Sequence, residues 1–119
     1  MDLTQLLKGV LDTAVLAVLE HDDGYGYDIV RRLREAGFTD IGDASVYGTL
    51  RRLYTSGALS TYVLPSEDGP HRKYYSIQKA GLKTLAEQRI TWLHFSQTMG
   101  LILGHPQDSN EPRTAGSKK

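Results

Sequence analysis

Residues 43–77 have the sequence DASVYGTLRRLYTSGALSTYVLPSEDGPHRKYYSI, in which a helical pattern is followed by two strand-like runs. Three apolar residues recur at the spacing of one helical face: Val46, Leu50 and Leu53. Arg51 and Arg52 fall on other sides of the same helix. The pattern therefore predicts a short helix with one packed face and one face free to contact a partner.

Both ends of this helix carry recognisable signals. Asp43 or Ser45 is predicted to be the N-cap, because a carboxylate or hydroxyl oxygen there accepts a hydrogen bond from an unpaired helix amide. Gly57 stands where a residue in the left-handed conformation would end the helix.

A β-hairpin is predicted after the helix. Residues 59–64 and 73–77 are rich in residues that favour strands, and the two prolines of the polar segment 65–70 are expected to keep that segment out of both strands. Arg72 and Lys73 follow the turn directly. A short helix followed by a hairpin with basic residues after its turn is typical of a winged helix.

Length and composition indicate one small globular domain. The chain has 119 residues, 39% of them hydrophobic, which is enough for one core and too few for two independent ones. No apolar run is long enough to cross a bilayer, and the apolar N-terminal stretch lacks the features of a secretory signal. We therefore expect a soluble cytoplasmic protein, and the absence of cysteine fits a reducing compartment.

Opposite charges are segregated along the chain although the net charge is zero. Residues 1–43 carry nine acidic and four basic residues, a net charge of −5, and residues 44–89 carry three acidic and seven basic residues, a net charge of +4. The basic excess coincides with the helix and hairpin. It indicates either a phosphate-binding face or an ordinary solvated surface.

Two helices are predicted before this unit. Residues 3–19 are apolar on nearly every side, so we expect one continuous helix enclosed by its own domain and by a partner subunit. Residues 25–36 form the second predicted helix, with Ile29 and Leu33 facing inward. Three arginines of the second helix are expected to face solvent: Arg31, Arg32 and Arg34.

The C-terminal part is predicted to mediate dimerisation. Apolar residues between 82 and 102 recur at steps of three, four and seven, and a terminal helix with such a stripe needs a partner to cover it. Residues 1–79 are expected to form a winged helix-turn-helix domain, residues 80–104 a dimerisation helix and residues 105–119 a disordered tail. The predicted fold class is mainly α with a small β-hairpin.

Four ordered blocks resemble the signatures of the PadR family of transcriptional regulators. They are LLKGVLDTAVLAVLE (6–20), DGYGYDIVRRLREAGF (23–38), SVYGTLRRLYTSGALS (45–60) and GPHRKYYSIQKAG (69–81). The short C-terminal part is similar to the small subfamily that includes multidrug-sensing repressors. Gly48 and His71 stand where many members have proline. The resemblance implies a homodimeric repressor that binds a roughly palindromic DNA operator and needs no cofactor.

Nine residues are candidates for DNA contact. The start of the third helix would enter the major groove, the tyrosines of the second helix would bind phosphate at a helix N-terminus, and the wing would reach the backbone or the minor groove. The candidates are Tyr25, Tyr27, Ser45, Tyr47, Thr49, Arg51, Arg52, Arg72 and Lys73. Core packing remains an alternative role for the tyrosines.

Trp92 is either an anchor of the dimer interface or part of a ligand site. In the small members that the chain resembles, a tryptophan of the last helix stacks on flat aromatic ligands at the dimer centre. Such a slot would combine residues of the first helix with an apolar set from the last: Trp92, Leu93, Phe95 and Met99. A small aromatic effector is therefore a candidate partner.

Other function classes have little support in the residues. None of the four histidines has a second histidine three or four residues away, so no helical metal site is predicted, and a metal sensor remains only an alternative. The chain lacks a nucleotide-binding glycine loop and a catalytic triad, which argues against an enzyme. The remaining alternative is a protein-interaction adaptor that uses the winged helix without binding an operator.

Overall fold

A computed structural model of the chain describes residues 3–104. These residues form five helices and three short strands. In chain order the elements are α1 Leu3–Leu7, α2 Leu11–His21, β1 Gly24–Tyr25, α3 Gly26–Ala36, α4 Asp43–Thr55, β2 Leu59–Ser66, β3 Gly69–Ile77 and α5 Lys79–Leu103. The predicted class is confirmed: three central helices are followed by a hairpin wing and a long last helix.

The core lies between α2, α3 and α4. Each of these helices contributes one apolar stripe, and the largest side chains of the stripes are almost fully buried. The residues are Val15, Leu16 and Leu19 from α2, Ile29, Val30 and Leu33 from α3, and Val46, Leu50 and Leu53 from α4. Leu59 at the start of β2 and Leu85 on α5 close the cluster. The predicted inward face of the third helix is thus confirmed.

The first predicted helix is in fact two helices. The prediction of one helix over residues 3–19 is wrong, because a turn at residues 8–10 separates α1 from α2. In this turn the amide of Val10 donates to the carbonyl of Leu7 at 3.0 Å. Gly9 and Val10 both have low helix propensity, which explains why the helix stops there.

The sheet has three strands, in the order β1-β3-β2. Strand β1 was not predicted: it contributes only Gly24 and Tyr25, which pair antiparallel with Tyr75 and Tyr74 of β3. Two residues are too few to show the alternating pattern of a strand. Because Tyr25 belongs to β1, α3 begins at Gly26, one residue later than predicted.

The hairpin is longer than the sequence suggested. Residues 65–70 were expected to form a loop, yet β2 continues to Ser66 and β3 begins at Gly69, which pairs with it. The register shifts between Leu64 and Ser66, where Pro65 lies on an edge strand. An edge strand with a local bulge accommodates proline because no partner needs the missing N–H there.

The C-terminal end of α4 was predicted correctly, and its N-cap was not. Gly57 has a φ of +89°, so the prediction of a left-handed residue after the helix is confirmed. The predicted cap by Asp43 or Ser45 is wrong, because Gly42 is the N-cap residue and no side chain caps the helix. Asp43 instead accepts a hydrogen bond from Arg34 at 2.9 Å.

The chain divides into two compact units after Gln88, within α5. In the first unit the Thr13 hydroxyl donates to Gln88 at 2.6 Å and so ties the start of α5 to α2. In the second unit, α5 continues from Arg89 to Leu103. None of the helices within residues 3–104 is long and apolar enough to cross a membrane. The predicted tail, residues 105–119, lies outside the described residues.

Candidate nucleic-acid interface

A shallow groove of about 320 Å³ lies where α3, α4 and the wing meet. Its lining includes five of the nine residues predicted to contact DNA, drawn from four different elements. They are Tyr25 of β1, Tyr27 of α3, Tyr47 of α4, and Arg72 and Lys73 of β3. Residues that are up to 48 positions apart in sequence therefore share one surface.

The first turn of α3 allows α4 to approach it closely. A Cβ atom added at Gly26 would lie 2.5 Å from Cε1 of Tyr47, which is closer than any real contact. Only glycine at this position lets the Tyr47 ring rest against the start of α3. The Tyr47 ring thus lies against Gly26, and Tyr27 and Tyr47 both line the groove.

The two wing cations lie over aromatic rings of the sheet. The guanidinium carbon of Arg72 is 4.5 Å from the centre of the Tyr25 ring, and Nζ of Lys73 is 5.8 Å from the centre of the Tyr75 ring. Neither cation forms an ion pair with any residue within 3–104. Cation–π contacts orient a charge without neutralising it, so both charges remain available to an anion.

Arg31 and Arg34 of α3 both contact carboxylates of the same chain. Arg31 pairs with Asp28 and Glu35, and these hydrogen bonds raise the pKa of its guanidinium. Arg34 donates to the carbonyl oxygen of Ile41 at 2.8 Å and to Asp43. Their positive charges are therefore largely compensated by neighbouring carboxylates.

The exposure of Arg32 differs from the prediction. Arg32 was expected to face solvent, but only about a fifth of its side chain is exposed. Its guanidinium donates to three carbonyl oxygens at the end of α2 and just beyond it: Val18, Asp22 and Asp23. The last carbonyls of a helix lack partners further along it, so a guanidinium at this place caps the C-terminus of α2.

One predicted contact residue of α4 is buried, and another forms an ion pair while remaining exposed. Thr49 is only 3% exposed, and its hydroxyl accepts a hydrogen bond from Arg52 at 3.3 Å. Arg52 in turn pairs with Asp12 of α2 at 2.8 Å, which raises the pKa of its guanidinium. Ser45 and Arg51 are exposed, as predicted. The sequence held a usable signal, since Thr49 follows Val46 by three residues and so lies on the same helical face.

A further tyrosine, not among the predicted residues, holds the wing to the helices. The hydroxyl of Tyr62 in β2 donates to the carboxylate of Asp23 at 2.6 Å. This hydrogen bond is the main reason that the pKa of Tyr62 is raised to about 12. No local pattern indicates a contact between residues 39 positions apart, because only the packing of the hairpin brings them together.

The predicted ligand-binding residues lie on the second unit. Trp92, Leu93 and Phe95 are each about half exposed, and Met99 is 36% exposed. The rings of Trp92 and Phe95 are in contact, with centres 5.7 Å apart and planes tilted by 36°. Their arrangement forms an open apolar surface.

No group of three or more potential metal ligands occurs among residues 3–104. His105, the fourth histidine considered above, lies outside that range.

Comparison with known proteins identifies the family. The sequence model of the transcriptional regulator PadR-like family matches residues 15–87. A PadR-like transcriptional regulator from Bacillus cereus is 34% identical, with a TM-score of 0.76 over 85% of this chain and 98% of that chain. A Streptococcus transcriptional regulator is 38% identical, with a TM-score of 0.75 over 84% of this chain and 98% of that chain.

A third solved structure is more distant and still covers most of both chains. A PadR family transcription regulator from Clostridium difficile is 27% identical, with a TM-score of 0.72 over 80% of this chain and 99% of that chain. The family match includes most of α2, all of α3 and α4, the wing and all seven residues that line the groove. The chain therefore belongs to the PadR-like family of transcriptional regulators, whose members are DNA-binding proteins rather than enzymes.

Proposed function

We propose that the groove and the exposed face of α4 bind the operator DNA of a repressor. The observation that carries this proposal is that Arg72 and Lys73 share one surface with four tyrosines. Neither cation has an ion pair among residues 3–104. Uncompensated cations beside hydroxyl groups suit a polyanionic backbone.

The wing and the start of α3 are assigned to the DNA backbone. Arg72 and Lys73 neutralise phosphates, or reach the edge of the minor groove. Tyr25 precedes α3 and Tyr27 lies in its first turn, where the helix N-terminus already favours an anion. Such contacts set the position of the protein on DNA and contribute little to sequence recognition.

The exposed side of α4 is assigned to the bases. Ser45, Tyr47 and Arg51 are among its exposed polar side chains, and Tyr47 lines the groove. An α-helix fits the major groove, where hydroxyl and guanidinium groups bind the edges of the bases. Thr49 is not assigned to this role, because it is buried, whereas Arg52 pairs with Asp12 at an exposed position and stays a candidate.

A homodimer is proposed from the surface of the second unit. All eight large apolar residues between 90 and 103 are exposed, a concentration that marks an interface. Four of them follow one helical stripe: Trp92, Phe95, Met99 and Ile102. Two copies joined by this stripe would present two α4 helices to a roughly palindromic operator, with half-sites about one DNA turn or a multiple apart.

The wing assignment is tested by a double substitution. Arg72→Ala/Lys73→Ala is expected to weaken binding to every DNA sequence and to lower the slope of log affinity against log salt by about two, roughly one for each phosphate that is no longer neutralised. The probe is a DNA fragment that the wild-type protein selects from genomic DNA. Affinity is measured by fluorescence anisotropy over a series of salt concentrations.

The matched control is Lys79→Ala/Lys83→Ala, which removes the same charge from exposed lysines outside the groove. It is expected to keep the wild-type salt slope. Equal slopes for the wing variant and the wild type would contradict the assignment. Failure of the wild-type protein to select any fragment would instead favour the adaptor function.

Derepression by an effector is tested on the second unit. A planar aromatic cation is expected to stack on Trp92, the only tryptophan, and to quench its fluorescence. The dye should also lower the affinity for the selected DNA, because a ligand derepresses only by favouring a subunit arrangement that no longer fits the operator. Leu101→Ala is the control variant and should leave the quenching of Trp92 unchanged, because Leu101 lies off the stripe. Quenching without any change in DNA affinity would contradict derepression.

A further inference from the structure

We infer that Tyr62 and Tyr74, neither of which lines the groove, are positioning residues that hold Arg72 in the orientation in which it meets DNA. This inference rests on the proposed function, because it assigns to two further residues a role in the phosphate contact of the wing. It follows from a continuous set of contacts that runs across the sheet from Asp23 to Arg72.

Three tyrosines form one row across the three strands. Tyr74 of the central strand pairs with Tyr25 of β1 on one side and with Tyr62 of β2 on the other. The rings of Tyr62 and Tyr74 are stacked, with centres 5.5 Å apart and planes 11° apart. The rings of Tyr25 and Tyr74 meet edge to face, with centres 5.4 Å apart and planes at 73°. Both arrangements are favourable for aromatic pairs.

Arg72 lies at one end of this row. It is two residues from Tyr74 along β3 and so projects from the same face of the sheet. Its guanidinium lies over the Tyr25 ring and has no ion pair among residues 3–104. The Tyr25 ring is thus the contact that orients the guanidinium, and Tyr74 sets the plane of that ring.

The other end of the row is fixed to the helices. Tyr62 donates its hydroxyl to Asp23, in the connection between α2 and β1. This hydrogen bond holds the Tyr62 ring in its stacked position against Tyr74. An arginine held in one orientation loses less conformational freedom when it binds a phosphate, so the row raises DNA affinity without touching DNA.

The test is a double-mutant cycle between Tyr74 and Arg72. Tyr74→Leu is expected to weaken binding to the selected DNA fragment about three- to tenfold in the wild-type background. In the Arg72→Ala background the same substitution is expected to have no effect, because the residue that it positions is gone. Tyr62→Phe keeps the stacked ring and removes the bond to Asp23, and it should show a smaller loss with the same dependence on Arg72.

Tyr74→Phe is the matched control, because it keeps both ring contacts and should bind DNA as the wild type does. Thermal melts are run on every variant, and Tyr62→Phe, which retains all three rings, provides the cycle if Tyr74→Leu fails to fold. Equal losses of affinity in the two Arg72 backgrounds would overturn the inference and leave the proposed function intact. Unchanged binding by Arg72→Ala itself would overturn both.

Discussion

The two compact units of this chain treat their apolar residues in opposite ways. In the first unit, leucine, isoleucine and valine side chains from three helices fill a common core. In the second unit, the continuation of α5 leaves its large apolar residues exposed, with Ile102 of the stripe 72% exposed. The same kinds of residue are therefore buried in one region and exposed in the other. The difference shows that hydrophobic composition alone does not distinguish a buried core from an exposed surface.

The largest expected effect follows from truncating a core side chain. Leu50 has no exposed surface, so Leu50→Ala should lower the free energy of unfolding by about 2–5 kcal/mol. Leu101→Ala makes the same chemical change on an exposed part of α5 and should alter it by less than about 0.5 kcal/mol. Urea denaturation followed by circular dichroism measures both. Similar losses of stability for the two variants would remove the contrast between the units.

The second effect concerns association. Trp92→Ala removes the largest side chain of the proposed stripe and should weaken dimerisation by about 2 kcal/mol, roughly thirtyfold, as for a central interface residue. Sedimentation equilibrium at several concentrations measures the dissociation constant. Leu101→Ala is expected to dimerise as the wild type does. A wild-type protein that stays monomeric at high concentration would show that something other than a second copy covers this face.

The smallest expected effect is the alkaline loss of one hydrogen bond. The bond to Asp23 raises the pKa of Tyr62 from 10.0 to about 12, so the fold favours the neutral phenol. Its contribution to stability is complete below pH 10 and disappears as the pH rises through 12. Comparing wild type with Tyr62→Phe isolates this group, and the stability advantage of the wild type should shrink between these two pH values. An advantage that stays constant over this range would contradict the assigned bond.

Local periodicity predicted the parts of the fold in which a helix shows one apolar face. Val46, Leu50 and Leu53 are buried as expected, and Gly57 ends α4 in the left-handed conformation. The same logic missed the two-residue strand β1 and the turn at Gly9. A strand of two residues has no detectable period, and one glycine in an apolar run weakens a helix without marking where it stops.

The sequence shows how many charged residues the chain has, but it does not show which residues they contact. Arg32, Arg52 and Arg72 look equivalent along the chain. In the fold, Arg32 closes the end of α2, Arg52 pairs with Asp12 and Arg72 lies over Tyr25. Five of the nine candidate residues share one groove, and their contact with DNA stays a prediction, as does that of the exposed Arg52. Among the nine, Thr49 alone is buried.

The sequence by itself determined the family, the order of the main elements and the inward faces of α3 and α4, because these depend on residue types and on their spacing along one element. Only the tertiary structure shows which cations have no ion pair among the described residues, which tyrosine rings contact each other across the sheet and which apolar residues are exposed. Those properties depend on contacts between residues far apart in the chain, and such contacts exist only once the helices and the hairpin have packed together.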